Sequence, residues 1–133
     1  MKQTLLAVLG LLFFSFATTG PYTAAQFEGF VREVFADQAD ALVFSNPSNR
    51  RALLEDFLSR VAVENHPELK GKKFALLSEL ALQNKYNKGL SRDAVCDPKT
   101  FNPLKYHFPM SSKKREIYRF DNTDFLIIIN PVK

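Results

Sequence analysis

The segment 123–130, TDFLIIIN, restricts the fold more than any other part of the chain. Phe125, Leu126, Ile127, Ile128 and Ile129 show no polar alternation, so a strand built from them needs burial on both faces. Left at a sheet edge it would template aggregation, so it also needs a partner on each side. Just upstream, 116–120 (EIYRF) alternates in polarity and is rich in aromatic and β-branched residues. Asp121-Asn122 between the two runs are turn formers. The pair predicts a C-terminal β-hairpin whose second strand is central to its sheet.

The N-terminal half of the domain has a different period. Phe27, Phe30, Val31, Val34, Phe35, Leu42 and Val43 recur at helical spacing, with Ala39 bridging the gap, which predicts one helix over 26–44. Ser45-Asn46-Pro47 ends it, and Ser48 or Asn49 is positioned to cap a second helix. Leu53, Leu54, Phe57, Leu58 and Val61 form that helix's apolar stripe. A short β-branched strand at 60–64 overlaps its end and stops at Asn65-His66-Pro67. Segment 72–86 suits either period; its second half, 76–86, reads as strand. The expected fold class is therefore α+β: an N-terminal helical hairpin packed on a small, mainly antiparallel sheet, with a long ordered loop before the C-terminal hairpin.

The first 25 residues read as something other than domain. Lys2 precedes the apolar stretch 4–17, and Thr23-Ala24-Ala25 places small residues before a cut ahead of Gln26. This is the order of a secretory signal peptide; Ser15-Phe16-Ala17 offers a second cleavage site. The apolar stretch falls short of the ~20 residues of a membrane span, and no cysteine follows it for lipid attachment. The expectation is a leader over 1–25 and a single domain over 26–133, exported to the periplasm or secreted, with no transmembrane anchor after cleavage. A domain of that size buries about 65% of its unfolded surface, enough for one core.

Composition enters through charge. The whole chain is +4, yet 26–68 carries 4 basic and 8 acidic residues while 69–133 carries 13 and 6. An acidic front is joined to a basic back. Most of the imbalance falls in 84–115, which holds Lys85, Lys88, Arg92, Lys99, Lys105, Lys113, Lys114 and Arg115 against Asp93 and Asp97. The same stretch has no sustained period but contains Tyr86, Leu90, Val95, Phe101, Leu104, Tyr106 and Phe108. A loop so long is functional, disordered or a misread element, and its aromatic content argues for order. Basic residues interleaved with aromatics can hold anions. Lys85, Tyr86, Lys88, Arg92, Lys99, Lys105 and Tyr106 are the candidate binding contacts. An anionic envelope polymer or a protein partner is the expected ligand class, with no specific nucleic acid implied.

Three phrases in this region, Asn84-Lys85-Tyr86-Asn87, Phe101-Asn102-Pro103-Leu104-Lys105-Tyr106 and Tyr118-Arg119-Phe120-Asp121-Asn122-Thr123-Asp124, resemble phrases in small uncharacterised exported proteins of Bacteroidota. The resemblance spans 26–131 and extends to chain length and leader. It implies a bacterial envelope or secreted setting, and no activity or functional residue.

Residues able to do chemistry are few. One cysteine excludes an intrachain disulfide framework and a Cys-rich zinc module. Cys96 with His66 or His107 would be a nucleophile–base pair, but Asp93 and Asp97 beside it raise the thiol pKa. Glu64, His66 and Glu68 alternate as metal ligands on one strand face would, except that Pro67 interrupts them. No Gly-rich phosphate loop, Ser-x-x-Lys or Gly-x-Ser-x-Gly is present. No cofactor, metal or catalytic residue is expected. A non-catalytic binding module leads, with a structural subunit or protein adaptor as the alternative and a small hydrolase last.

Overall fold

The computed structural model describes residues 22–45 and 49–133. Most of the expected leader, the cleavage site at Ala17 and the candidate cap Ser48 lie outside them.

Helix α1 is Ala24–Phe35. Thr23 starts it with a reciprocal capping box: the Gln26 amide donates to Thr23 Oγ1 at 3.1 Å, and the Thr23 amide donates to Gln26 Oε1 at 3.0 Å. Two otherwise orphaned backbone donors are thereby satisfied. The apolar stripe Phe27, Phe30, Val31, Val34 and Phe35 is buried, as its spacing predicts.

The helix expected to run on to 44 stops at Phe35. Ala36 takes φ 51°, ψ −129°, a region that L-residues rarely occupy. A 3₁₀ turn, Ala36–Gln38, and a π-helical turn, Asp40–Phe44, follow. Ala39 and Val43 stay buried throughout, so the apolar face persists while the backbone turns beneath it. Helix α2, Arg50–Ser59, buries Leu54, Phe57 and Leu58. Leu53, expected in that stripe, is 63% exposed. Asn49 precedes the helix without a side-chain cap. α2 lies beside α1, with the Arg51 guanidinium over the Phe27 ring at 5.7 Å.

Among the described residues four strands form one sheet in the order β1-β4-β3-β2: β1 Val61–Asn65, β2 Ala75–Leu76, β3 Glu116–Arg119 and β4 Phe125–Ile129. β4 pairs antiparallel with β1 (Val61 opposite Ile129) and with β3 (Glu116 opposite Ile129). The hairpin and the central position of its second strand are both present. β2 runs parallel to β3, so the sheet is mainly antiparallel and the chain is α+β, as expected. Leu126, Ile127, Ile128 and Ile129 are each at most 3% exposed. Alternate members of that strand point to opposite faces, so both faces are covered. Asn122 sits at φ 61° in the turn, and Thr123 Oγ1 donates to the Phe120 carbonyl while accepting from the Phe125 amide. Asp121-Asn122 thus turn the chain as predicted.

The strand expected over 76–86 is largely absent. β2 ends at Leu76, a 3₁₀ turn occupies Leu77–Glu79, and a lone bridge joins Leu82 to Tyr106. The backbone groups here are used by the long loop. The Gln83 amide donates to the Lys105 carbonyl and the His107 amide to the Ala81 carbonyl. The loop therefore supplies the partner that a strand would have needed. Residues 101–106 are buried without a break. They join α1, α2 and the sheet in one core, which includes Phe57, Phe101, Tyr106, Phe108, Ile127 and Ile129.

Candidate functional site

Two asparagines hold the long loop against α1. Asn102 is 2% exposed. Its amide nitrogen donates to the Phe30 carbonyl at 3.1 Å and to Glu33 Oε1 at 2.9 Å, and its oxygen accepts from the Leu104 amide at 3.0 Å. That last bond caps a 3₁₀ turn, Pro103–Lys105. Asn87 donates to the Glu33 carbonyl at 2.7 Å. In the sequence both residues stand in the stretch without a sustained period, with nothing to mark them as anchors. Their one local signal is the Asn-x-Leu spacing at 102–104, which fits an Asx turn.

The turn delivers Lys105 and Tyr106 inward. Lys105 is 5% exposed, and its Nζ lies 3.3 Å from Asp93 Oδ1. Tyr106 Oη donates to Asp93 Oδ2 at 2.6 Å and accepts from the Asp93 amide at 3.0 Å. The Tyr106 ring stacks on Phe101 at 5.7 Å. The Arg92 guanidinium lies 5.8 Å from that ring's centre and donates to the Leu80 carbonyl. Burial, then the Asp93 carboxylate, pushes the Tyr106 phenol well above its ordinary range. Cys96 is buried nearby, its thiol raised to about 12 by burial first and by Asp93 and Asp97 after it. It is a protonated thiol at neutral pH and a poor nucleophile.

The candidate contacts therefore separate into two groups. Lys105 and Tyr106 converge on Asp93 and are spent on internal bonds, while the exposed Arg92 lies over the Tyr106 ring. Lys85, Lys88 and Lys99 are exposed. Lys85 lies over the Tyr86 ring at 5.4 Å, and that half-buried ring stacks on Phe35 at 5.3 Å. Lys99 is held by its backbone, its amide donating to Asp97 Oδ1 and its carbonyl accepting from Gln26 Nε2. No local pattern distinguishes Lys105 from the exposed lysines; Asp93 lies twelve residues away.

Beside this cluster, Val34, Phe57, Gln83, His107 and Met110 help line a cavity of about 100 Å³. That has room for water but falls below the ~300 Å³ of a small-molecule pocket. A more open hollow of about 460 Å³ is lined by Lys70, Leu76, Arg119, Asn122, Thr123 and Asp124. Its arginine is already committed to the Thr123, Leu69 and Lys72 carbonyls.

His66 bridges two carboxylates, Nε2 to Glu64 at 2.6 Å and Nδ1 to Glu68 at 2.7 Å. Both ring nitrogens are thus turned to acids rather than to a shared ion. Among the described residues no three His, Cys, Asp or Glu side chains are grouped to hold a metal. The bonds to Glu64, then Glu68, raise the imidazole above 6.5. A group with a raised folded pKa stabilises the fold fully below its unfolded pKa and loses that contribution as pH rises through the folded value. The expected result is an NMR titration midpoint for His66 above 6.5. His66→Gln should narrow the stability difference between pH 6 and pH 8; an unchanged difference would contradict the bridge.

Among the described residues no helix is long and apolar enough to cross a membrane. Comparison of the chain with protein-family models, curated proteins and solved structures finds no match.

Proposed function

We propose that this chain is a small exported binding module, without catalytic activity, that engages an anionic partner through the exposed basic side chains of its C-terminal half. The observation that carries this reading is a difference in how the two halves use their charge. In the front half three of the four arginines are seen in ion pairs: Arg32 with Glu28 and Asp40, Arg51 with Glu55, and Arg60 with Asp56. Behind Leu69, where 13 basic residues stand, Lys105 alone has an ion pair among the described residues. Lys85, Lys88, Arg92, Lys99, Lys113, Lys114 and Arg115 remain exposed. Exposed charges of one sign, unneutralised within the fold, raise the local concentration of oppositely charged ligands.

Rigid support adds to the case. The loop carrying Lys85 to Lys99 is fastened by Asn87, Asn102 and the Asp93 cluster, so its backbone needs little ordering on binding. The resemblance to exported Bacteroidota proteins favours an envelope polymer as the anion. The test is retention on immobilised heparin or polyphosphate. The protein should bind near 20 mM salt and elute by roughly 300 mM, as the Debye length shrinks from about 20 Å to about 6 Å. Replacing Lys85, Lys88 and Lys99 together by serine should move elution to lower salt. Passage through the column unretained at low salt overturns the reading. Partner binding that persists in high salt favours the adaptor alternative instead.

A further inference from the structure

We infer that the leader is removed at the Ala17–Thr18 bond rather than after Ala25, so that Tyr22 and Thr23 remain as structural parts of the exported domain. This rests on the export reading. The cut is a peptide hydrolysis by an endopeptidase of the export route. The Ala17–Thr18 C–N bond breaks, and water adds hydroxyl to the Ala17 carbonyl carbon and a proton to the released Thr18 amine.

Three features of the fold point to it. The small-residue sequence Thr23-Ala24-Ala25 lies at the start of a folded helix: Thr23 is the cap of α1, and Ala24 and Ala25 are its first two residues. A cut after Ala25 would discard Thr23 and with it both hydrogen bonds of the capping box. It would also remove the Thr23 carbonyl, which accepts from the Phe27 amide at 2.9 Å. The new chain end would be the Gln26 ammonium, a positive charge at the positive pole of the helix dipole. Tyr22 is itself packed. Its ring meets Phe30 edge-on at 5.0 Å, and Tyr22, Thr23 and Ala24 flank a hollow that Glu55, Leu58 and Ser59 of α2 close on the other side. Losing residues 22–25 would strip the Tyr22–Phe30 ring contact and one wall of that hollow as well as a cap.

The sequence accommodates the earlier site. Ser15 and Ala17 place small residues at the −3 and −1 positions. The apolar core of the leader is then residues 5–14, within the ~7–15 residues usual for such a region. A short Thr-Thr-Gly-Pro segment would precede the domain.

The experiment is expression of the full chain in an export-competent bacterium, with the intact mass measured on protein from the periplasm or medium. A chain beginning at Thr18 is expected, and one beginning at Gln26 overturns the inference. A product that stays in the cytoplasm with Met1 retained overturns the export reading itself, and the inference with it. As a second measurement, chains 18–133 and 26–133 made without a leader are compared by thermal unfolding. The shorter chain should melt lower by about 5 °C or more. Equal melting would remove the physical reason for preferring the earlier cut.

Discussion

Replacing Asp93 by alanine is expected to destabilise the fold by about 3 kcal/mol, although Asp93 lies in a loop. Its carboxylate is the sole ion-pair partner of the buried Lys105 among the described residues, and it also accepts from Tyr106 Oη. Removal leaves an ammonium in a site with little water. Desolvating such a charge without a partner costs several kcal/mol. The pair itself need not be strongly stabilising, because an apolar replacement of both members would avoid the desolvation. Asp93→Ala combined with Lys105→Met should therefore recover a large part of the loss, a coupling that urea unfolding of the four proteins would measure. If Asp93→Ala unfolds within 1 kcal/mol of the parent, Lys105 has found solvent and the cluster is not the clamp described above.

Asn102→Ala is expected to cost about 2–3 kcal/mol, since three hydrogen bonds are lost and the Leu104 amide is left buried without its acceptor. Asn102→Asp separates the roles of the side chain. It keeps an oxygen for the Leu104 amide but has no N–H for the Phe30 carbonyl, and it faces Glu33 with a second carboxylate. It should be at least as destabilising as alanine at neutral pH. Limited proteolysis gives an independent readout, because either variant should open the 84–110 loop to cleavage before the sheet unfolds. A loop no more sensitive than the parent's would show that the Phe101, Leu104 and Tyr106 rings and side chains hold it without Asn102.

These two residues also mark where sequence reading stops. The apolar stripe of α1 was legible because burial on a helix repeats every 3.6 residues. β4 was legible because five consecutive apolar residues have no exposed face to offer. The turn at Asp121-Asn122 follows from local backbone preference. The end of α1 was not legible. The apolar spacing continues through Ala39 and Val43, and Ala36 adopts a positive φ with no glycine to announce it. The strand expected over 76–86 failed for a related reason: its pattern is ambiguous, and its backbone partners belong to 105–107, some twenty residues on. Lys105 and Tyr106 belong with these cases. Beside Lys85 and Tyr86 they look like the same kind of residue, and contacts with Asp93 across twelve and thirteen positions place them inside.

The sequence alone thus determined the α+β class, the central strand, the two-helix front and the division of charge, each set by composition or by a repeat within one element. Tertiary structure alone decided which basic residues face water and how the loop is pinned to α1. Those outcomes depend on single hydrogen bonds and ion pairs between distant positions, 69 residues apart for Asn102 and Glu33. No local period carries that information, because the energy that selects each arrangement appears only when the two segments are already packed together.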